Sequence, residues 1–280
     1  MPWSPPRWCR SGAAAGERPV FDAGVGARAA NLSRRCGGGG WKPLRCGVIA
    51  FSEYVTRRKA YSYPAVGLSG CLSCWNEVSF HSTQQLDGDQ YQLLLSDEND
   101  QVVLGYLSTI FWGYFSGKNK ATHPERAQGK VRLALNGKDR NRNGRIRGVK
   151  DRGIDFVALE IRAAFASLKS DQYAESLRRL CDLPQLKLAF ASKVCGFLAP
   201  TRCGVIDSVM AHNYPCFRFS VDDNDIVKNT SANRTNYAGY CSFLQEQAGT
   251  LNSQGQQFWW MDRDGICHAW RAVDVERALY

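Results

Sequence analysis

Several features that are common in proteins are missing from this sequence of 280 residues. No apolar run approaches the roughly 18 residues that a membrane-spanning helix needs. The N-terminal charges are not followed by the apolar stretch of a secretory signal, so we expect a cytoplasmic protein. Because that compartment is reducing, the eleven cysteines are expected to be thiols or metal ligands rather than disulfides.

The motifs of the common metal-dependent and nucleotide-dependent enzymes are also absent. The chain has only four histidines, and none belongs to the motifs of zinc proteases or zinc deaminases. Cys71 and Cys74 have the spacing of half a zinc site, but no second pair follows. The serine-hydrolase motif Gly-x-Ser-x-Gly and the phosphate-binding motif Gly-x4-Gly-Lys-Ser/Thr are both lacking. We therefore expect no metal and no organic cofactor.

What the sequence does have is an uneven surplus of positive charge. Lys and Arg total 36 against 26 acids, which gives a net charge of +10. Residues 118–152 contain twelve Lys or Arg and three acids, so nearly the whole surplus lies in this segment, called the basic segment below. Such clustering favours a polyanionic partner, and a solvated basic loop is the alternative. The cations expected to contact phosphates are Lys118, Lys120, Arg126, Lys130, Arg132, Arg140, Arg142, Arg145 and Arg147, together with Arg202.

Composition divides the chain into three parts. Residues 1–40 are rich in Pro, Gly, Ala and Arg, and we expect a disordered segment or a mis-assigned translation start. Residues 41–100 are expected to form a small mixed α/β region. Residues 101–280 are expected to form a helical domain, and part of the segment 136–148 within it is expected to be a loop.

The prediction that residues 101–280 are helical depends on apolar runs and on the residues that begin and end helices. The run 101–115 is too long for a typical strand and predicts a buried helix. An apolar face formed by Phe156, Leu159, Ile161, Ala164, Phe165 and Leu168 predicts a second helix. Asp171 is expected to cap a helix over residues 172–181, and residues 187–198 predict another helix, which ends before Pro200.

The last eighty residues predict further short elements. Asp207 is expected to open a helix as its N-cap, and another helix is expected around residues 236–248. Asp264-Gly265 predicts the turn of a hairpin over residues 258–270, and a final helix is expected from Asp274. Short helices joined by tight turns indicate a mainly α fold.

One segment resembles a known family. The order Ala191-Ser-Lys193, Thr201-Arg202 and Asp207-Ser208 resembles the core of the 8-oxoguanine-glycosylase-like DNA glycosylases, distant relatives of the helix-hairpin-helix glycosylase superfamily. The similarity extends from about Leu104 to the end of the chain, and it includes the segments 108–117 and 270–279. It implies a helix-hairpin-helix glycosylase-like core, preceded by the small mixed region and followed by the short hairpin.

The resemblance also implies an activity. A DNA glycosylase hydrolyses the N-glycosidic bond of a base flipped out of double-stranded DNA and leaves an abasic site. Asp207 would be the carboxylate that stabilises the positive charge developing on the sugar. Lys193 would be the amine that forms a Schiff base in the lyase-competent branch. Some members of this group resemble phage-defence enzymes that excise glucosylated hydroxymethylcytosine, which is the substrate favoured here, and the enzyme is expected to act as a monomer.

Alternatives remain open at this stage. An oxidised-purine repair glycosylase or lyase, or a DNA-binding protein without catalysis, fits the same residues, and Asp207 could be only an N-cap. The hairpin glycines of the superfamily are absent before Lys193, and the interval from this lysine to Asp207 is short, so Lys193 could contact phosphate or support the helix instead. The base pocket is predicted from Phe111, Trp112, Tyr114 and Ser192, although the three aromatic residues would also suit a helical core.

Overall fold

Helices dominate the part of the chain that this computed structural model describes, namely residues 49–116, 121–140 and 144–280. The helices are α1 (Phe51–Ala60), α2 (Thr83–Leu94), α3 (Asn99–Phe115), α4 (Pro124–Asn136), α5 (Val149–Arg152), α6 (Ile154–Lys169), α7 (Tyr173–Cys181), α8 (Leu188–Leu198), α9 (Ser208–Asn213), α10 (Ser231–Ser253) and α11 (Ala272–Leu279). The strands pair as three antiparallel hairpins, β1 (Val66–Cys71) with β2 (Cys74–Ser79), β3 (Lys138–Arg140) with β4 (Gly144–Ile146), and β5 (Trp260–Met261) with β6 (Cys267–His268). The predicted mainly α class is confirmed.

Helix α3 lies at the centre of the fold. Every residue from Val102 to Trp112 is buried, and α2, α4, α6, α8 and β1 pack around it. An apolar helix that is buried on all sides has no polar face, so its sequence shows no alternation of apolar and polar residues at the helical period. The length of the apolar run 101–115 was therefore the feature that predicted α3 correctly. Thr109, one of its buried polar residues, bonds to the carbonyl oxygen of Gly105 one turn earlier.

Two local predictions around α6 and α7 are wrong. Leu159 was placed on the apolar face of α6, but its side chain is 62% exposed, because the buried stripe runs through Val157, Ala158 and Ile161 instead. Asp171 is not the N-cap of α7, since Gln172 occupies that position. Asp171 has a left-handed backbone, with φ of 59°, and its carboxylate pairs with Arg202.

The later elements agree with the sequence patterns. Helix α8 ends two residues before Pro200, Asp207 is the N-cap of α9, and Gly265 has a φ of 78° in the turn of the β5–β6 hairpin. Helix α10 is longer than predicted at both ends, and α11 begins two residues before Asp274.

The basic segment contains a helix and a hairpin. Part of residues 136–148 was expected to be a loop; there α4 continues to Asn136, and Lys138–Arg140 pairs with Gly144–Ile146. Arg145 on this hairpin pairs with Asp139 at 2.7 Å and with Asp151 at 3.0 Å. These ion pairs hold β3, β4 and α5 together.

The described residues belong to one unit, Arg45–Tyr280, in which the first helix packs on the last. Arg58 of α1 reaches Asp274 of α11 at 3.1 Å, and Arg277 of α11 reaches Asp87 of α2 at 2.6 Å. The predicted disorder of residues 1–40 lies outside the described residues. No helix among the described residues combines the length and apolar character needed to span a membrane.

Candidate active site

Ser192 joins the helix that carries Lys193 to the segment that carries Asp207. Its buried hydroxyl oxygen accepts a hydrogen bond from the backbone N–H of Ile206 at 3.0 Å. The hydroxyls of Tyr237 and Tyr240 on α10 donate to the next two carbonyl groups upstream, at Gly204 (2.9 Å) and Val205 (3.2 Å). Because both flanks of this extended segment are bonded, the position of Asp207 relative to α8 is fixed.

Asp207 caps α9 and remains half-buried. Its Oδ1 accepts a hydrogen bond from the backbone N–H of Met210 at 3.1 Å, as expected for an N-cap. The aromatic side chain of Tyr280 lies beside the carboxylate, and burial together with the charge of Asp207 raises the pKa of this tyrosine. The cap engages one carboxylate oxygen through a single donor, so the group keeps acceptor capacity for a substrate.

Lys193 in α8 is only 8% exposed, and it interacts electrostatically with this carboxylate. Its Nζ is 5.3 Å from the ring centre of Phe190 and 5.8 Å from that of Trp112. Burial lowers the pKa of the ammonium group, and the carboxylates of Asp207 and Glu276 only partly offset that effect. A lysine in such surroundings supplies a neutral amine more readily than an exposed lysine does.

Glu276 of α11 is a member of this site that the sequence analysis missed. Its side chain is 3% exposed, and burial, with a further contribution from the charge of Asp207, raises its pKa to about 8. The segment 270–279 had been noted only for its resemblance to the family. In the structure every residue of α11 is buried, including the charged residues Asp274, Glu276 and Arg277. The signal available in the sequence was this group of charged residues within a short apolar helix.

Tyr63, which the sequence analysis also missed, lies between the site and the start of the β1 strand. Its hydroxyl donates to the carbonyl oxygen of Trp112 at 3.0 Å. Burial raises the pKa of Tyr63 to about 12, and the charge of Asp207 acts in the same direction. Tyr63 therefore remains neutral with its hydrogen donated to Trp112, and Tyr280 remains neutral beside Asp207.

An aromatic pair connects the site to the basic segment. The ring of Tyr114 stacks on that of Phe190, with 4.5 Å between the ring centres. Two cations of α4 lie over Tyr114, Lys130 at 5.1 Å and Arg126 at 5.7 Å from the ring centre. These contacts place positive charge near Lys193, although the basic segment and Lys193 are about sixty residues apart in sequence.

The other predicted phosphate contacts are distributed differently. Arg132 and Arg147 are exposed. Arg145 and Arg202 are ion-paired within the protein, which reduces the charge that they offer to a partner. Lys118, Lys120 and Arg142 lie outside the described residues, as does the side chain of Arg140.

The residues predicted to form the base pocket are mostly packed in the core. Phe111 is fully buried and contacts Phe115, with ring centres 5.4 Å apart. Trp112 is 5% exposed and donates its Nε1 hydrogen to the carbonyl oxygen of Pro64 at 3.0 Å. The Ser192 hydroxyl is engaged at Ile206, so among the four only Tyr114 is half-buried and close to the basic segment.

No metal centre is present among the described residues, since no three His, Cys, Asp or Glu side chains are grouped to hold one. Cys71 and Cys74 lie exposed at the turn of the β1–β2 hairpin. Cys216 is disulfide-bonded, which differs from the expectation of thiols throughout.

Comparison of the chain with known proteins gave no relative. No protein-family model, no curated protein and no solved structure matches it.

Proposed function

We propose that this protein is a DNA N-glycosylase that removes a modified base and leaves an abasic site. The observation that carries the proposal is the half-buried carboxylate of Asp207 beside a buried lysine, Lys193, of lowered pKa. Breaking an N-glycosidic bond develops positive charge on C1′ and O4′ of the sugar, and a fixed carboxylate stabilises that charge. Tyr280 adds a neutral hydroxyl beside this carboxylate.

The surroundings of the pair support nucleic acid as the substrate. Arg126 and Lys130 bring positive charge to Tyr114, and exposed cations continue along α4 and the β3–β4 hairpin. A glycosylase reaches its target base only after the base has rotated out of the DNA duplex, and the extruded base then stacks on an aromatic ring at the edge of the site. We assign this role to Tyr114. Modified phage DNA is the proposed substrate, and glucosylated hydroxymethylcytosine is the modification favoured.

The α7–α8 connection is also proposed to correspond to the hairpin of the superfamily. The two helices are joined by a short turn in which Gln185 has a φ of 61°, a conformation that glycine adopts more easily. Gln185 would then stand where the superfamily has a glycine. The backbone conformation favours the helix-hairpin-helix assignment, whereas the bulk of the side chain would limit the approach of a phosphate.

The decisive experiment separates the capping role of Asp207 from catalysis. Asparagine caps helices as well as aspartate does, so Asp207→Asn keeps α9 but removes the charge. We expect base release to fall on the order of 10²–10³-fold, with DNA affinity nearly unchanged. Released bases are measured by mass spectrometry on a panel of natural and modified phage genomes, and abasic sites by alkaline cleavage.

The control is Asp182→Asn, which removes an exposed carboxylate at the C-terminal end of α7 and should leave base release unchanged. If Asp207→Asn releases base at the rate of the unmodified protein, Asp207 serves only as the N-cap of α9. If the unmodified protein binds DNA but releases no base from any genome, the protein is a DNA-binding module without catalysis.

The burial of Lys193 favours a second activity, a lyase step. Attack of a neutral amine on C1′ breaks the C1′–N bond and releases the base. Opening of the C1′–O4′ bond then gives a Schiff base that borohydride reduces to a stable protein–DNA adduct. We expect the adduct to form with the unmodified protein and to disappear in Lys193→Gln. Because burial lowers the pKa of Lys193, adduct formation should persist at a pH where an exposed lysine is fully protonated. Normal base release without any adduct would make the enzyme monofunctional.

A further inference from the structure

A cavity of about 380 Å³ lies on the other side of Tyr63 from the core. The end of α1, the start of α2 and the β5–β6 hairpin enclose it, and its walls include Arg58, Tyr61, Gln84 and Trp260. Its volume falls within the range of roughly 300–1,000 Å³ that is usual for small-molecule sites. Asp207 and Lys193, the two residues that carry the proposed chemistry, do not line it, although Tyr63 belongs to both sites.

Two nitrogen donors on the walls of this cavity have no acceptor. Trp260 is 2% exposed and its Nε1 is unpartnered. Gln84 is half-buried, and its buried Nε2 is also unpartnered. The guanidinium carbon of Arg58 lies 3.9 Å from the centre of the Trp260 ring, and the His268 ring lies 4.9 Å away. Arg58 lies over the face of the Trp260 ring, whereas the indole N–H points outward in the ring plane. Arg58 is therefore not a partner for this N–H. Buried donors without acceptors are costly, and a ligand with acceptor atoms would remove that cost.

The charge around the cavity is positive. Arg58 belongs to a buried network in which three guanidinium groups, with those of Arg271 and Arg277, meet the two carboxylates of Asp87 and Asp274. The neighbouring carboxyl of Glu276 has a pKa of about 8, so it is mostly protonated at neutral pH and does not balance the surplus.

The rim of the cavity continues this charge pattern. Lys59 and Arg263 are exposed there, and His81 lies beside them. Asp262 is the carboxylate on the cavity wall, and it is already bonded to Nε2 of His268 at 2.7 Å. Helix α2 begins at Thr83 on the same wall, and its N-terminal end adds partial positive charge.

We propose that this cavity binds the phosphate of a nucleotide-type ligand. The phosphate oxygens would accept the hydrogen bonds that Trp260 and Gln84 offer, and the negative charge would balance Arg58 and the cations at the rim. The cavity is larger than a phosphate ion requires, and the rings of Tyr61, Tyr63 and Phe80 can pack against a flat organic part. The phosphate can come from a free nucleotide or from the 5′ end of a DNA strand.

The test follows the indole N–H of Trp260 by two-dimensional ¹H–¹⁵N NMR of the whole protein. Titration with deoxycytidine 5′-monophosphate should move this resonance, whereas deoxycytidine should bind at least about tenfold more weakly. Inorganic phosphate should move the same resonance at higher concentration. Tighter binding of a 5′-phosphorylated oligonucleotide than of the mononucleotide identifies a strand end as the source, and the reverse identifies a free nucleotide.

Trp259 provides a matched control, because its Nε1 is also buried and unpartnered but the residue does not line the cavity. We expect Trp259→Phe to leave nucleotide affinity unchanged and Trp260→Phe to weaken it about tenfold. Gln84→Met should weaken binding similarly and serves as a second variant if the Trp260 variant does not fold. Equal affinity for nucleotide and nucleoside, or no effect of either variant, would overturn the proposal.

The site is tested separately from the glycosylase. Asp207→Asn should leave the nucleotide titration intact, since Asp207 does not line the cavity. A protein that binds nucleotide but releases no base would retain this site and lose the proposed function. A protein that releases base but shows no shift at Trp260 would retain the function and lose this site.

Discussion

Glu276 shows at the level of one residue how burial sets chemistry in this protein. Its carboxyl group is enclosed beside Asp207 and Lys193, and its pKa of about 8 lies far above the ordinary value of 4.5. At neutral pH the Glu276 carboxyl is therefore mostly protonated, beside the carboxylate of Asp207. A carboxyl group that keeps its proton at neutral pH can serve as a proton donor in such a site.

The raised pKa of Glu276 predicts how stability depends on pH. Between pH 4.5 and 8 the folded protein retains a proton that the unfolded chain has released, so the contribution of this group falls as pH rises and is constant above about 8. Glu276→Gln removes this dependence and should be more stable than the unmodified protein at pH 8, by roughly 3–5 kcal/mol at most. The two proteins should have similar stability near pH 5.

Urea unfolding at pH 5 and at pH 8 measures the effect, with Glu246→Gln on α10 as the control, because Glu246 is exposed. Equal pH dependence in Glu276→Gln and the unmodified protein would show that Glu276 is ionised in the folded state.

Residue by residue, the sequence predicted only the local part of the site. Lys193 and Asp207 were identified because they lie fourteen residues apart, in one recognisable segment. Glu276 and Tyr63 come from opposite ends of the described chain, and only tertiary packing brings them to Asp207. Phe111 was misplaced because an aromatic residue of a core helix and one of a binding pocket look alike in sequence.

At the level of elements, the contact between α3 and α8 is controlled by Gly113. A Cβ added at this position would overlap the Phe190 ring and lie 3.1 Å from Cδ of Lys193. Gly113→Ala should therefore push the Phe190 ring away from Tyr114 and shift Lys193. We expect a loss of about 1–3 kcal/mol in stability and reduced adduct formation by Lys193.

Gly249→Ala on α10 is the matched control, because nothing lies within 4 Å of the added Cβ. It should stabilise the protein by up to about 1 kcal/mol through helix propensity. Thermal unfolding compares the two variants. If Gly113→Ala proves as stable as Gly249→Ala, the two helices have room between them and α8 is not held in place there.

Elements were predicted well where apolar patterns or caps are strong, and poorly where competing contacts decide. The apolar run of α3 and the cap at Asp207 were both sufficient. At Asp171, the ion pair with Arg202, thirty-one residues later, competes with capping and prevails. In the basic segment, Arg145 is paired with Asp139 and Asp151, contacts that a prediction from local sequence could not include.

At the scale of the whole molecule, buried ion pairs tie the ends of the described chain together. Asp274 is fully buried, and it contacts Arg58 on α1 and Arg271 just before α11. Burial alone would raise its pKa, but the surrounding arginines hold the pKa at about 2, below the ordinary 3.8. The carboxylate therefore stabilises the folded state above about pH 4, and this stabilisation is lost as pH falls toward 2.

Asp274→Asn should be strongly destabilising at neutral pH, because it leaves buried guanidinium groups without their carboxylate. A loss of about 3–5 kcal/mol is expected, while the exposed pair of Glu53 with Arg57 should be worth less than about 1 kcal/mol in Glu53→Gln. Guanidinium chloride unfolding at pH 7 and pH 3 measures both variants.

The loss caused by Asp274→Asn should shrink at pH 3, since the unmodified protein has itself lost part of this stabilisation there. A loss that is small, or equal at both pH values, would mean that apolar packing of α1 on α11 joins the two ends and that the ion network contributes little.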